Sequence, residues 1–139
     1  MRFVDANIFV YAFLEPKRRL TEREAALKQR SKDIVRRIDK GEQVRTAIVQ
    51  ITEVCNIMES RAPPEQAHEI IQSILFSNSI DIVAVDTAVY AAALELARTH
   101  AVSVNDGVAA VVMEQNSMQE IYSHDTDFDK IPGITRIDH

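Results

Sequence analysis

Residues 2–16 read RFVDANIFVYAFLEP and hold the first strand-to-helix unit of the chain. Residues 2–5 form a short apolar strand candidate, and the apolar positions of residues 7–14 predict a helix of one or two turns. Pro16 ends this helix, because proline has no backbone N–H and clashes with the preceding turn. Asp5 therefore falls at the carboxyl end of the first predicted strand.

The same order of strand and helix continues along the chain. Further strands are predicted at residues 44–47, 80–85, 120–122 and 135–137. The predicted helices lie at residues 21–41, 48–59, 64–76, 86–100 and 103–113. This alternation, with no repeat or linker, predicts a parallel sheet with helices on both faces. We therefore expect one domain over residues 1–139, an α/β protein with a three-layer α/β/α fold and a mostly parallel central sheet of four to five strands.

Three helix ends carry specific signals. Thr21 and Glu24 have the spacing of a capping box, and Gly41 is suited to close the long charged helix that they open. Ser103 and Asp106 have the same capping spacing before a nearly all-apolar helix. That helix is apolar enough to lie against the sheet.

The composition excludes several classes of protein. The chain has 139 residues, the length of one domain, and only three glycines, so neither a Walker loop nor a GxGxxG motif can be assembled. Cys55 is the only cysteine, which excludes an intramolecular disulfide and fits a reducing compartment. Asp5 and Asn7 interrupt the apolar start, so we interpret it as core rather than signal peptide or membrane span and expect a cytoplasmic protein.

Charge is distributed unevenly along the chain. Residues 17–45 hold eleven Lys and Arg residues against five acidic ones, whereas the rest holds five basic and sixteen acidic residues. This separation predicts a basic face for a polyanion and an acidic region for cations. A solvated helix with internal ion pairs is an equal alternative. We predict that a basic helix from about Arg18 to Lys40 flanks the functional edge of the sheet, where the strands have their carboxyl ends, and contacts phosphates there.

Acidic residues follow several of the predicted strands. Asp5 ends the first strand, and Asp125 and Asp127 come just after the fourth. Asp106 lies at the start of the apolar helix, and Glu53 has apolar neighbours four residues before and after it. Because ligands of such sheets bind beyond the carboxyl ends of the strands, we expect these acids to converge.

Carboxylates that converge in a protein interior need a counter-charge. A divalent cation that prefers oxygen ligands supplies one. The four histidines fall singly in the sequence, so no pair has the spacing of a zinc site. The pattern therefore favours Mg²⁺ or Mn²⁺ over Zn²⁺.

Each acidic residue also has a purely structural explanation. Asp5 and Asp106 are suited to cap helices, which is the commonest role of an aspartate at such positions. Glu53 lies on the surface if the phase of its helix differs from the prediction. The functional interpretation gains weight because four separated segments bring acids to one edge of the predicted sheet.

The sequence resembles the PIN domain, and in particular the small VapC-type ribonuclease toxins. Four motifs occur in the family's order: VDANIFVYAF at 4–13, TAIVQITEV at 46–54, VNDGVAAVVM at 104–113 and YSHDTDFDKIPGI at 122–134. Gly107 stands where the family more often has alanine, and Ser123 where threonine is common. Residues 17–43 form a longer, more basic segment than in minimal members, but no acidic position is lost.

The resemblance implies metal-dependent hydrolysis of an RNA phosphodiester. Its implied catalytic set is Asp5, Glu53, Asp106 and Asp125, in which Glu53 positions or deprotonates the attacking water. The implied ligands of Mg²⁺ or Mn²⁺ are Asp5, Asp106 and Asp125, with Asp127 as an additional ligand. The residues expected to orient these carboxylates are Asn7, Thr46 and Ser123. Expected partners are an RNA substrate, an antitoxin protein and a second copy of the chain, and the apolar content of residues 48–76 also favours a homodimer.

Two other classes of function stay open. A response-regulator-like phosphoacceptor also places carboxylates and Mg²⁺ at strand ends, but it needs paired early acids and a lysine after the last strand. Asp5 stands alone, and Lys130 is out of place. The other alternative is a catalytically silent PIN-like module that binds RNA or protein. Metal-dependent cleavage of single-stranded RNA separates these interpretations.

Overall fold

The computed structural model describes residues 1–139, which form one five-stranded sheet and six α-helices. The strands are β1 (Arg2–Val4), β2 (Val44–Ala47), β3 (Ile80–Val83), β4 (Glu120–Tyr122) and β5 (Thr135–Ile137). The helices are α1 (Ala6–Phe13), α2 (Glu22–Asp39), α3 (Ile48–Arg61), α4 (Pro64–Leu75), α5 (Thr87–His100) and α6 (Val104–Gln115). A short 3₁₀ helix occupies Thr126–Lys130, between β4 and β5.

All five strands are parallel and lie in the order β3-β2-β1-β4-β5. The chain first builds the sheet outward from β1 through β2 to β3. It then returns through α5 and α6 to the other side of β1, where it adds β4 and β5. The direction of building therefore switches between β1 and β4, the place where ligands of open α/β sheets bind. Asp5 follows β1 and Ser123 follows β4 at this switch point.

Side chains of the central strands alternate between two apolar cores, as the pleat of a strand requires. Val4 and Tyr122 belong to the core shared with α1, α2, α3 and α4. Phe3 and Ile121 belong to the core shared with α5 and α6. The predicted three-layer α/β/α fold is confirmed, with all five predicted strands present.

The predicted helix ends are confirmed in detail. The Thr21 hydroxyl accepts a hydrogen bond from the Glu24 backbone N–H, and the Glu24 carboxylate accepts one from the Thr21 backbone N–H. Gly41 follows the end of α2 with φ +116°, a left-handed conformation that favours glycine. Ser103 caps α6 by accepting a hydrogen bond from the Asp106 backbone N–H at 3.1 Å.

Some element bounds differ from the prediction. The strand predicted at 80–85 ends at Val83, because its partner β2 ends at Ala47, directly opposite Val83. Helix α3 continues past Glu59 to Arg61 and stops just before the proline pair at 63–64. The 3₁₀ helix after β4 was not predicted. None of the helices has the length and apolar character of a segment that crosses a membrane.

Candidate metal and active site

Asp5 connects β1 to α1 and caps α1. One carboxylate oxygen accepts a 2.8 Å hydrogen bond from the Ala6 backbone N–H, and the other accepts a 2.7 Å hydrogen bond from the Ser123 hydroxyl. The residue is only 6% exposed. Burial, together with repulsion from the Asp106 and Glu53 carboxylates, raises the pKa of Asp5 to about 7. Asp5 therefore caps a helix and also meets the other acids at the switch point.

Ser123 links the carboxyl ends of β1 and β4. Its fully buried hydroxyl donates to Asp5 and accepts hydrogen bonds from the Asp125 backbone N–H at 3.0 Å and the Asn7 side-chain amide at 3.4 Å. The side-chain oxygen of Asn7, Oδ1, accepts a hydrogen bond from the backbone N–H of His124 at 3.3 Å. Ser123 and Asn7 together fix the Asp5 carboxylate relative to the loop that carries Asp125.

Thr46 was expected to orient the carboxylates, but its hydroxyl contacts the backbone instead. Its buried hydroxyl donates a 2.8 Å hydrogen bond to the backbone carbonyl of Val4. Thr46 therefore holds the end of β1, and it acts on Asp5 through the backbone rather than through the carboxylate.

Asp106 is the third residue of α6, and Ser103 caps that helix in its place. The Asp106 side chain is buried, with 8% of the residue exposed. Burial, together with repulsion mainly from Asp125, raises the pKa of Asp106 to about 6. The capping explanation therefore applies to Ser103, and the Asp106 carboxylate faces the other acids.

Asp106, Asp125 and Asp127 form the tightest group of acids. One carboxylate oxygen from each lies within 4.8 Å of the others. Asp125 caps the 3₁₀ helix by accepting a 2.9 Å hydrogen bond from the Asp127 backbone N–H, which fixes both residues in one turn. Asp127 also pairs with Lys130 at 2.8 Å. Asp5 lies outside this group of three, although the charge of Asp106 contributes to its raised pKa.

Glu53 approaches the same place from α3. It is half-buried, and its pKa is raised by burial and by the charge of Asp125. Its own charge raises the pKa values of Asp5 and Asp106. The structure therefore brings together all five acidic residues that the sequence singled out.

The chemistry of these donors fits a hard divalent cation. Lys130 is the only basic side chain within 4.0 Å of any of the five carboxylates, so most of their charge has no partner. Mg²⁺ and Mn²⁺ prefer carboxylate oxygens to imidazole. His124 contacts the Ser31 hydroxyl through Nε2 at 2.7 Å, so this nitrogen is not free to act as a ligand.

The predicted basic helix is present as α2, but several of its charges are already paired. Arg30 lies 3.5 Å from Asp138, and Arg36 lies 2.8 Å from Asp33. Arg37 lies 4.0 Å from Glu42. These contacts agree with the ion-paired alternative for this part of α2.

The N-terminal end of α2, which lies beside the acidic residues, carries an arginine without an acidic partner. Arg23 has no acidic partner within 4.0 Å, and it lines a cavity next to Asp125. Arg23 is therefore the α2 residue best placed to contact a phosphate at this edge.

The sequence did not predict a role at the acids for two residues that lie near them, Lys130 and Gln50. Lys130 stands three positions after Asp127, a spacing that brings side chains together on a helical turn, and this signal was available. Gln50 stands three positions before Glu53 and is 1% exposed. Its side-chain amide donates a 3.1 Å hydrogen bond to the backbone carbonyl of Asn105. Gln50 thus ties α3 to the first turn of α6, which holds Asp106.

Several solved structures share this fold. VapC20 of Mycobacterium tuberculosis, a sarcin-ricin loop cleaving toxin, is 18% identical with a TM-score of 0.71, and the match covers 93% of each chain. VapBC2 of Rickettsia felis, solved bound to a DNA fragment from its promoter, is 13% identical with a TM-score of 0.67, covering 98% of this chain and 96% of the other. A toxin-antitoxin complex from Klebsiella pneumoniae is 14% identical with a TM-score of 0.65, covering 97% and 96%.

The sequence comparisons agree with the fold. A search of curated protein sequences finds no significant match. The PIN domain family, in contrast, matches residues 2–134, which is nearly the whole chain and includes every acidic residue of the site. The chain therefore belongs to the PIN domain family.

Proposed function

We propose that the protein is a Mg²⁺- or Mn²⁺-dependent ribonuclease that hydrolyses phosphodiester bonds of RNA. The observation that carries the proposal is the convergence of five carboxylates at the switch point, with a single lysine as counter-charge. The pKa values of three of them, Asp5, Glu53 and Asp106, are raised. An arrangement of this kind costs stability in the empty protein. It is useful where a divalent cation offsets the charge of the carboxylates and attracts the phosphate of a substrate.

Asp5, Asp106 and Asp125 are assigned to hold the metal, with Asp127 as an additional ligand. A bound divalent cation lowers the pKa of water and offsets charge that develops on the phosphate oxygens. Ser123 and Asn7 keep the Asp5 carboxylate oriented through the hydrogen bonds described above.

Glu53 is assigned to the attacking water. Its raised pKa makes it a better proton acceptor than an ordinary exposed glutamate. Water oxygen bonds to phosphorus while Glu53 takes one water proton. The bond from phosphorus to the leaving sugar oxygen breaks, and that oxygen leaves with a proton from solvent.

Cleavage of RNA by the purified chain tests the proposal. Single-stranded RNA should be cut with Mg²⁺ or Mn²⁺ and left intact with EDTA. Glu53→Gln should lower the rate by about 10²- to 10⁴-fold, the usual contribution of a general base. Glu95→Gln, an exposed residue of α5 outside the site, is the matched control and should leave the rate unchanged. Binding of RNA without metal-dependent cleavage would instead support the silent-module alternative.

We also propose that the protein is the toxin of a toxin-antitoxin pair. The proposal rests on its family and on the similar structures, several of which are toxin-antitoxin proteins. Expression should arrest growth of a bacterial host, and Asp106→Asn should abolish the arrest. Co-expression with the protein encoded beside it should restore growth and yield a complex. Growth arrest equal in wild type and Asp106→Asn would contradict the assignment.

A further inference from the structure

A cavity of about 510 Å³ opens directly beside the acidic residues, between α1, the first turns of α2 and the loop after β4. Its lining residues include Asn7 and Asp125, which also belong to the site described above. A ligand could therefore extend from the carboxylates into the cavity without a break. The volume falls within the range of small-molecule pockets and accommodates one nucleotide.

Two aromatic rings form one wall of this cavity. Tyr11 and His124 are both half-buried, and their rings lie perpendicular with centroids 5.5 Å apart. The Ser31 hydroxyl holds the His124 ring at 2.7 Å. Lys28 holds the backbone at Tyr11 by donating to its carbonyl at 3.0 Å. The His124 ring and the backbone of Tyr11 are thus held in place, and the two rings contact each other edge to face. This order before any ligand binds lowers the entropic cost of stacking a base on them.

The charge at the cavity mouth suits a phosphate. Arg23 lines the cavity and has no acidic partner within 4.0 Å. Glu24 also lines it, but its carboxylate accepts hydrogen bonds from the Arg18 guanidinium and from Thr21, so its charge is compensated. Arg23 and Asp125 are therefore the unpaired charges of this cavity. Asp125 belongs to the acidic site, and Arg23 is the lining residue that can pair with a phosphate.

We propose that this cavity binds one unpaired nucleotide of the RNA next to the cleaved bond, with the base against Tyr11 and His124 and a neighbouring phosphate on Arg23. The inference rests on the proposed RNA hydrolysis and adds a subsite to it. It makes unstacked, single-stranded RNA the preferred substrate, because a base inside a duplex cannot reach the rings. Base–aromatic stacking of this kind is tolerant of sequence.

The test compares two ligands of equal charge: a five-nucleotide oligouridylate and the same chain of sugars and phosphates without bases. Binding is measured by fluorescence anisotropy with Mn²⁺ in the Glu53→Gln background, so that the RNA stays intact. The oligouridylate should bind roughly 5- to 150-fold more tightly than the base-free chain. Tyr11→Leu should remove most of this difference, whereas Tyr11→Phe, which keeps the ring, should retain it.

Arg23→Gln separates the phosphate contact from the base contact. It should weaken both ligands equally and lower the salt dependence of binding by about 0.7 in log–log slope, the value for one phosphate on a single strand. Arg36→Gln makes the same change at the far end of α2 and should alter neither quantity. Equal affinity of the two ligands for the Glu53→Gln protein, or an unchanged difference in Tyr11→Leu, would overturn the proposal.

These outcomes are independent of catalysis. Cleavage of RNA by the wild-type protein, without the base-dependent affinity, would leave the ribonuclease assignment standing and remove the subsite. The opposite result is also possible, in which the wild-type protein cleaves no RNA but the base-dependent affinity is present and is abolished by Tyr11→Leu. That result would support the subsite and remove the ribonuclease assignment.

Discussion

The Asp5 carboxylate is held by its neighbours as if it were charged, but it is buried like an apolar group. Its two oxygens accept hydrogen bonds from Ala6 and Ser123, both of which stabilise the ionised form. Burial and the carboxylates of Asp106 and Glu53 act in the opposite direction and prevail, since the pKa is raised to about 7. At the scale of one residue, the site therefore keeps an ionisable group under strain that a cation would relieve.

Replacement of Asp5 by asparagine tests this strain. Asparagine keeps the shape of the side chain and its ability to cap α1, but it removes the buried charge. Without metal, Asp5→Asn should melt at the same temperature as wild type or higher. The increase in melting temperature on adding Mn²⁺ should become smaller, because stabilisation by a ligand follows its affinity for the native state. RNA cleavage should collapse.

Melting curves of both proteins, each with EDTA and with Mn²⁺, provide the measurement. Asp86→Asn is a matched control, because Asp86 caps α5 by the same kind of hydrogen bond at an exposed position. It should leave the metal response unchanged. An identical metal-induced shift in wild type and Asp5→Asn would mean that Asp5 acts only as a cap.

At the scale of elements, the position of Asp106 depends on how closely α5 and α6 approach. A Cβ atom on Gly107 would lie 2.4 Å from the backbone carbonyl oxygen of Ala93, a contact that neither backbone can accept without moving. Glycine at this position therefore permits the close packing of the two helices. The adjacent Asp106 depends on that packing for its place at the switch point.

Gly107→Ala should destabilise the protein by about 1–3 kcal/mol, the usual cost of overpacking. The direction of this change in stability is informative, because alanine in a helix interior is ordinarily about 1 kcal/mol more stabilising than glycine. The displaced first turn of α6 should also weaken the thermal response to Mn²⁺. Asn105→Ala, in the same turn and without the clash, is the control. Greater stability of Gly107→Ala in chemical denaturation would contradict the close-packing argument.

The sequence predicts the placement of Asp5, Asp106 and Asp125 well, because element order alone decides which residues follow strands or open buried helices. It does not predict the strand order, in which β1 lies between β2 and β4. That order depends on the crossover through α5 and α6. Ion pairs are equally hard to predict, since the partner of Arg30 is Asp138, at the other end of the chain. Long-range contacts of this kind decide which charges of α2 stay free.

At the scale of the whole molecule, one end of α4 leaves apolar surface without a cover. Phe76 is 78% exposed, and the adjacent Leu75 is 41% exposed. Ile48, at the start of α3, is 39% exposed. Other apolar side chains of α3 and α4, among them Met58 and Ile74, pack in the core. The three exposed side chains are therefore the apolar surplus that favours a homodimer.

We expect a homodimer in sedimentation velocity at micromolar concentration. Phe76→Ser should shift the protein toward the monomer, because it removes the most exposed of these side chains. Tyr90→Ser changes an exposed aromatic residue of α5, in the opposite helical layer, and should leave the dimer intact. A wild-type protein that sediments as a monomer would argue against this interface.

The acidic site also gives the whole molecule a characteristic pH dependence. Asp5 has a folded-state pKa of about 7 and Asp106 one of about 6, both above their values near 4 in the unfolded chain. The native state therefore binds more protons than the unfolded state between about pH 4 and 7. The contribution of each group to stability is greatest below this window and falls as pH rises through it, by up to about 1.4 kcal/mol per pH unit.

Other groups act in the opposite direction. Burial lowers the pKa of His124, so protonation of this histidine in the unfolded chain reduces stability as the pH falls through about 6.5. The contribution of His124 is the same in wild type and in Asp5→Asn. It therefore cancels in the difference between their free energies of unfolding, which leaves the titration of Asp5. In EDTA, the stability advantage of Asp5→Asn should increase as the pH rises from 5 to 7 and level off above about 7. Urea denaturation at several pH values measures this difference, and a constant difference would show that Asp5 keeps an ordinary pKa and that the carboxylates do not repel in the folded protein.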